Sequence, residues 1–193
     1  WFQLLDPLFF ILIQGCPVAL KPTIYKARIS LAHIENNLYD NLDLTLALHP
    51  SETLERMMAR VLAFSMNAGE NLSFTRGLSS VDEPDIWART LDDRVALWIE
   101  VGEPSSDRIK KAARISGAVK VYSFNLKSEN WWAKEKEKFK DLKALVFQFQ
   151  YKGVKEMAGL AGRTMDLSIT ISEGVVYVSS ERGDCEIQWV QLQ

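Results

Sequence analysis

Two carboxylates on opposite arms of one predicted β-hairpin are the residues best placed to do chemistry in this chain. Pro84-Asp85-Ile86-Trp87-Ala88-Arg89-Thr90 runs into Leu91-Asp92-Asp93-Arg94 and then into Val95-Ala96-Leu97-Trp98-Ile99-Glu100-Val101-Gly102. A hairpin about Asp92-Asp93, a turn-favouring pair, sets Trp87 opposite Trp98, Ile86 opposite Ile99 and Asp85 opposite Glu100. Directly opposed residues have Cβ atoms about 4.5–5.5 Å apart, close enough for two carboxylates to repel unless a cation lies between them. Glu100 also closes a strand that is apolar on both faces and so reads as buried, where a carboxylate must be paired, protonated or metal-bound. The spacing predicts a divalent-metal site. Against it, strand-end carboxylates commonly reach solvent, and a one-residue slip would turn the two acids to opposite faces.

Composition narrows the chemistry further. The 193 residues are 47% hydrophobic and 25% charged with a net charge of −2, enough for one substantial core and not a broadly basic nucleic-acid coat. The charge is unevenly placed. Residues 82–103 carry seven acids against Arg89 and Arg94, whereas residues 105–120 carry Arg108, Lys110, Lys111, Arg114 and Lys120 against Asp107. An acidic hairpin followed by a basic helix is what a phosphodiester substrate would need, although for any single lysine a solvated helix face is the better explanation. The two cysteines, Cys16 and Cys185, and two histidines, His33 and His49, have no zinc-ligand spacing. His49 before Pro50 reads as a capping residue and Cys185 as an inert thiol. No Walker A or Gly-x-Gly-x-x-Gly loop is present, so a nucleotide cofactor is not expected. Any chemistry must run on carboxylates, lysine and a hard cation held by oxygen.

The elements that must position these groups follow from periodicity. Strands are expected at Ile24–Ile34 and Tyr39–Ala47, where Leu42, Leu44, Leu46 and Leu48 repeat every second residue. A helix opened by Pro50 follows, with Leu54, Met57, Met58, Val61 and Leu62 as a core stripe. On a helical wheel Glu55 lies beside that stripe and Glu52 points further away. Leu72–Thr75 is a short strand before the hairpin. Ser105 or Ser106 caps a second helix to about Ser116, Val119–Phe124 is a buried strand, and residues 128–141 form a third helix bearing Trp131-Trp132. The tail supplies strands at Leu145–Gln150, Met165–Ser172, Val175–Ser180 and Glu186–Val190. Without strict βαβ alternation this is an α+β protein, a mixed central β-sheet flanked by helices. Residues 1–17 differ from the rest. Their apolar run is too short to span a membrane and lacks the basic start of a secretory signal, while Ile13-Gln14-Gly15-Cys16 looks like a lipoprotein processing site. The favoured reading is upstream sequence that takes no part in the fold, with residues 18–193 forming a single domain.

Several motifs, in order, resemble the bacterial YaeQ family: Leu20-Lys21-Pro22-Thr23-Ile24-Tyr25-Lys26, His49-Pro50-Ser51-Glu52-Thr53-Leu54-Glu55-Arg56-Met57-Met58, Phe74-Thr75-Arg76-Gly77-Leu78-Ser79, Asp82-Glu83-Pro84-Asp85, Leu97-Trp98-Ile99-Glu100-Val101-Gly102, Arg108-Ile109-Lys110-Lys111-Ala112 and Arg163-Thr164-Met165. The order of helix acid, Pro-Asp, hairpin, Glu and lysine helix also resembles the PD-(D/E)XK core, so the resemblance implies a restriction-endonuclease-like variant and a cytoplasmic bacterial protein. It further implies a nuclease in which Asp85, Glu100 and Glu55 hold Mg²⁺ or Mn²⁺. The motif lysine should stand two residues after the second acid, where this chain has Gly102. Lys111 is the leading substitute, with Lys110 close behind, and Arg108 and Lys110 are candidate phosphate contacts. The alternative is a catalytically silent nuclease-fold protein that binds nucleic acid or a protein partner.

Overall fold

The structure, a computed structural model, describes residues 21–75 and 82–193; the 1–17 segment lies outside them. Ten strands form one mixed sheet in the order β2-β1-β8-β9-β10-β7-β6-β5-β4-β3. The elements are β1 (Thr23–His33), β2 (Leu38–Leu48), α1 (Leu54–Met66), β3 (Leu72–Phe74), β4 (Ile86–Arg89), β5 (Val95–Val101) and α2 (Ser106–Ile115). There follow β6 (Ser116–Ser123), α3 (Ser128–Phe139), β7 (Ala144–Phe149), α4 (Tyr151–Gly159), β8 (Thr164–Ser172), β9 (Val175–Ser180) and β10 (Gly183–Gln191). Sheet and helices together make the α+β class expected from the pattern.

The predicted hairpin register holds within the ladder, but β4 begins at Ile86, so the expected Asp85–Glu100 pair falls just outside it, where Asp85 N donates to Ile99 O. Ile86 pairs with Ile99 and Trp87 with Trp98, and a bulge between Ala88 and Arg89 absorbs the extra turn residue. Asp93 takes a left-handed φ of 63° at the tip. Strands β5, β6 and β7 then run parallel, and each of the two crossovers carries a helix.

Side-chain alternation sends this half-sheet into two cores. Ile86, Ile99 and Val101 join Met57, Met58, Val61 and Leu62 of α1 in the larger one. Trp98, Val119, Val121 and Val146 join Ile109 and Ala112 of α2 in the smaller one, whose aromatic edge is Trp131 and Trp132 packed against Phe139. Helices α1 and α2 therefore cover opposite faces of β5, and their first turns meet at its C-terminal end.

Two local expectations are corrected. Pro50 sits in a turn, and α1 starts only at Leu54 behind an N-cap at Thr53, whose hydroxyl accepts from Arg56 N. Residues 151–159, where periodicity predicts no element, form α4. Gly153 hid it: a Cβ there would lie 2.5 Å from Glu186 O and 2.9 Å from Ile187 Cα, so glycine is what lets α4 dock on β10.

Candidate functional site

The course of β5 builds the site. Val95–Val101 enters the sheet half-exposed and ends buried, so Glu100 finishes with 6% of its surface exposed and Asp85, just before the partner strand, with 2%. Such burial demands partners, and both acids have them. Trp98, two residues back on the same face, donates its indole N–H to Glu100 Oε1 at 2.8 Å. Arg108 Nε, from the first turn of α2, donates to the same oxygen at 2.7 Å. Asp85 Oδ2 accepts the Val101 amide at 2.8 Å, and its Oδ1 meets Arg56 Nη2 of α1 at 2.7 Å.

The arrangement is thus more than two acids on one face. Asp85 turns toward the end of β5 and is gripped from the α1 side, while Glu100 is gripped from the α2 side. Both line one cleft of about 500 Å³ at the point where the two helices converge. They feel each other there. Burial raises the Glu100 pKa above the ordinary carboxylate range; Arg108 opposes that, Asp85 adds to it, and the Trp98 hydrogen bond opposes it again. Burial lowers the Arg56 pKa, but the adjacent Asp85 and Glu52 carboxylates outweigh it and leave a net increase.

The third acid at this place is Glu52. Glu55 is half-buried and does not line the cleft. The side chain of Glu52 is 2% exposed and accepts from Arg56 Nη1 (2.8 Å), Arg60 Nε (2.8 Å), Arg60 Nη2 (2.8 Å) and the His49 amide (3.3 Å). A helical wheel misplaces Glu52 because this residue precedes the N-cap, where helical phase does not apply. A signal was nonetheless readable: Glu52, Arg56 and Arg60 recur at four-residue steps, and Arg60 falls among the apolar residues of the α1 stripe. Four charged groups, Glu52, Arg56, Arg60 and Asp85, therefore form one chain from the core to the cleft.

The lysines lie elsewhere. Lys110 and Lys111 are both exposed on α2 and neither lines the cleft, whereas Arg108 does. Lys120 sits at the opposite end of α1, where it donates to Asn67 Oδ1 at 2.6 Å and burial lowers its pKa. Gly102, at the motif-lysine position, has φ 122°, a conformation that L side chains rarely adopt, although nothing lies within 4 Å of where a Cβ would stand. The backbone, rather than lack of room, keeps a lysine out. His49 Nδ1 pairs with the Ser51 hydroxyl at 2.7 Å and accepts the Ser51 amide, so it ties the turn before α1 rather than capping the helix, a role that falls to Thr53. Burial, reinforced by Glu156 and Asp184, pushes the Cys185 thiol up to about 11.

Among the described residues no three His, Cys, Asp or Glu side chains come together as a ligand group. Asp85 and Glu100 line the same cleft, whose lining holds no His or Cys, so the available anionic donors are oxygens. Five acids line the cleft (Glu52, Glu83, Asp85, Glu100 and Glu103) against Arg56 and Arg108. That donor set fits a hard divalent cation held by two carboxylates and completed by water or phosphate oxygens, the habit of Mg²⁺. It does not fit a three-carboxylate cage that includes Glu55.

Fold and site together define a mixed α+β protein with an acidic, arginine-braced cleft at the end of its central hairpin. The chain belongs to the YaeQ family, whose description, YaeQ protein, matches residues 18–189. It is 41% identical to the uncharacterized protein YaeQ of Salmonella typhi over 178 residues, 91% of this chain and 98% of that protein. The counterpart from Escherichia coli K12 is 40% identical with the same coverage. Among solved structures it resembles YaeQ from Xanthomonas axonopodis pv. citri (TM-score 0.86, 32% identity, 89% of this chain and 98% of that one). YaeQ from Pseudomonas syringae is similar too (TM-score 0.85, 36% identity, 89% and 96%).

Proposed function

We propose that the cleft hydrolyses phosphodiester bonds of nucleic acid with a divalent cation, Mg²⁺ or Mn²⁺, held between Asp85 and Glu100, as a variant of the PD-(D/E)XK scheme. One observation carries the reading: two buried carboxylates, Glu100 on β5 and Asp85 just before β4, line a single cleft with an excess of acid. The layout supports the restriction-endonuclease-like assignment, since a hairpin continues into parallel strands β6 and β7 with helices on both faces. The first turns of α1 and α2 both line the cleft, and the positive ends of their dipoles favour a phosphate.

The cation, when bound, would acidify a water and stabilise charge on the phosphoryl oxygens. The chain's own groups do the rest. Asp85 and Glu100 supply its anionic ligands, Glu52 keeps Arg56 at the cleft, and Arg56 and Arg108 offer guanidinium donors to the non-bridging oxygens. Lys110 and Lys111, exposed on α2 outside the cleft, would contact flanking phosphates. A bacterial protein with this activity belongs in the cytoplasm, beside its substrate; no helix among the described residues is long and apolar enough to cross a membrane.

A second reading, a silent nuclease-fold protein that binds nucleic acid or a protein partner, draws on the arginine already bound to each carboxylate and on Gly102. Thermal melts in EDTA and in millimolar Mn²⁺, run beside cleavage assays on labelled DNA and RNA, separate the two. The nuclease reading expects a metal-dependent rise in Tm, smaller in Asp85→Asn, and cleavage that needs both acids. A flat metal response with retained nucleic-acid binding would establish the silent one.

A further inference from the structure

The two arginines pose a question that the nuclease reading leaves open: each occupies a carboxylate that a metal would need. Arg56 and Arg108 are built alike. Each guanidinium contacts a prospective ligand and also a group that is not one. Arg56 gives Nη2 to Asp85 and Nη1 to Glu52, which is itself fixed by two nitrogens of Arg60. Arg108 gives Nε to Glu100 and Nη2 to the Glu83 carbonyl at 2.7 Å. Their side chains are 18% and 29% exposed, far more than the 2% and 8% of the acids they hold, and both line the cleft.

We infer that Arg56 and Arg108 are exchangeable internal cations: a divalent ion displaces them from Asp85 and Glu100, and they then bind the phosphate whose hydrolysis the proposed function assigns to this cleft. The inference rests on that reading and adds a coupling to it. In the cation-free protein the arginines neutralise two buried acids that would otherwise repel. A cation alone must break two charge-assisted hydrogen bonds to enter, and a phosphate alone finds the guanidiniums occupied, so each binds weakly by itself. With both present, the bonds lost to the carboxylates reappear as bonds to phosphate oxygens. The anchors at Glu52 and at the Glu83 carbonyl keep both side chains at the cleft during the exchange. The two ligands must then strengthen one another, and by linkage to the same extent.

Electron paramagnetic resonance of free Mn²⁺ measures its binding to the full chain, with and without saturating dimethyl phosphate as the diester probe. The exchange predicts a Mn²⁺ Kd at least about fivefold lower with the diester, the lower end of typical coupling. Arg108→Gln, which removes the competitor at the more exposed position, should bind Mn²⁺ alone several-fold more tightly than wild type and lose most of the coupling. Equal Mn²⁺ affinity with and without the diester in wild type overturns the exchange and leaves the nuclease reading standing. Coupling that persists undiminished in Arg108→Gln overturns it too, because it would then arise from direct contact between cation and diester. No Mn²⁺ binding at millimolar concentrations overturns both the exchange and the metal-dependent function.

Discussion

Replacing Glu52 by glutamine tests the charged chain that supports the cleft. The amide keeps the shape of the side chain but removes the only carboxylate that contacts Arg60 among the described residues. The Arg60 side chain is 4% exposed, and one of its nitrogens also donates to Ala47 O, so it cannot swing out to water without breaking that bond. Removing one member of a buried pair costs about 3–5 kcal/mol, because the survivor is left charged and unsolvated. With a urea m-value of about 2 kcal/mol/M, the midpoint should fall by about 1.5–2.5 M. Glu55→Gln is the control. Glu55 makes no hydrogen bond or ion pair among the described residues, so its replacement should move stability by no more than about 0.5 kcal/mol. In an Arg60→Met background, Glu52→Gln should cost less by about 0.5–3 kcal/mol, the range for contacting charged groups. Urea melts followed by tryptophan fluorescence give all three numbers. A Glu52→Gln midpoint within error of wild type, or a Glu55→Gln loss as large as that of Glu52→Gln, would refute the reasoning.

Glu100→Gln should be neutral or stabilising in EDTA at neutral pH. The raised Glu100 pKa means that wild-type stability falls as pH climbs from the ordinary value of 4.5 through the elevated one, a decline the amide lacks; melts across pH 4–8 should converge at the acid end, and a mutant less stable than wild type at pH 8 would contradict this. Gly102→Ala should cost about 1–3 kcal/mol through φ strain alone, measured by urea denaturation, and an unchanged midpoint would show that the backbone there does not exclude a lysine.

Alternation and turn chemistry settled much of this protein at the level of the chain. The Ile86/Ile99 and Trp87/Trp98 register, the approach of Asp85 and Glu100 to one cleft, the α1 core stripe and a serine cap at 105 or 106 were all legible, because period-2 pairing and capping depend on neighbours only a few residues away. Tertiary structure decided what those residues meet. That α1 and α2 cover opposite faces of β5, and so deliver Arg56 to Asp85 and Arg108 to Glu100, depends on chain crossovers that no local pattern encodes. Glu52 displaced Glu55 for a related reason: the helix begins after Glu52, and only the docking of α1 tells which way a residue ahead of an N-cap will point. Helix α4 stayed hidden because Gly153 answers to the backbone of β10, far away in sequence, rather than to helix propensity. Burial made a cation necessary beside each acid, and packing alone determined that arginines would supply it.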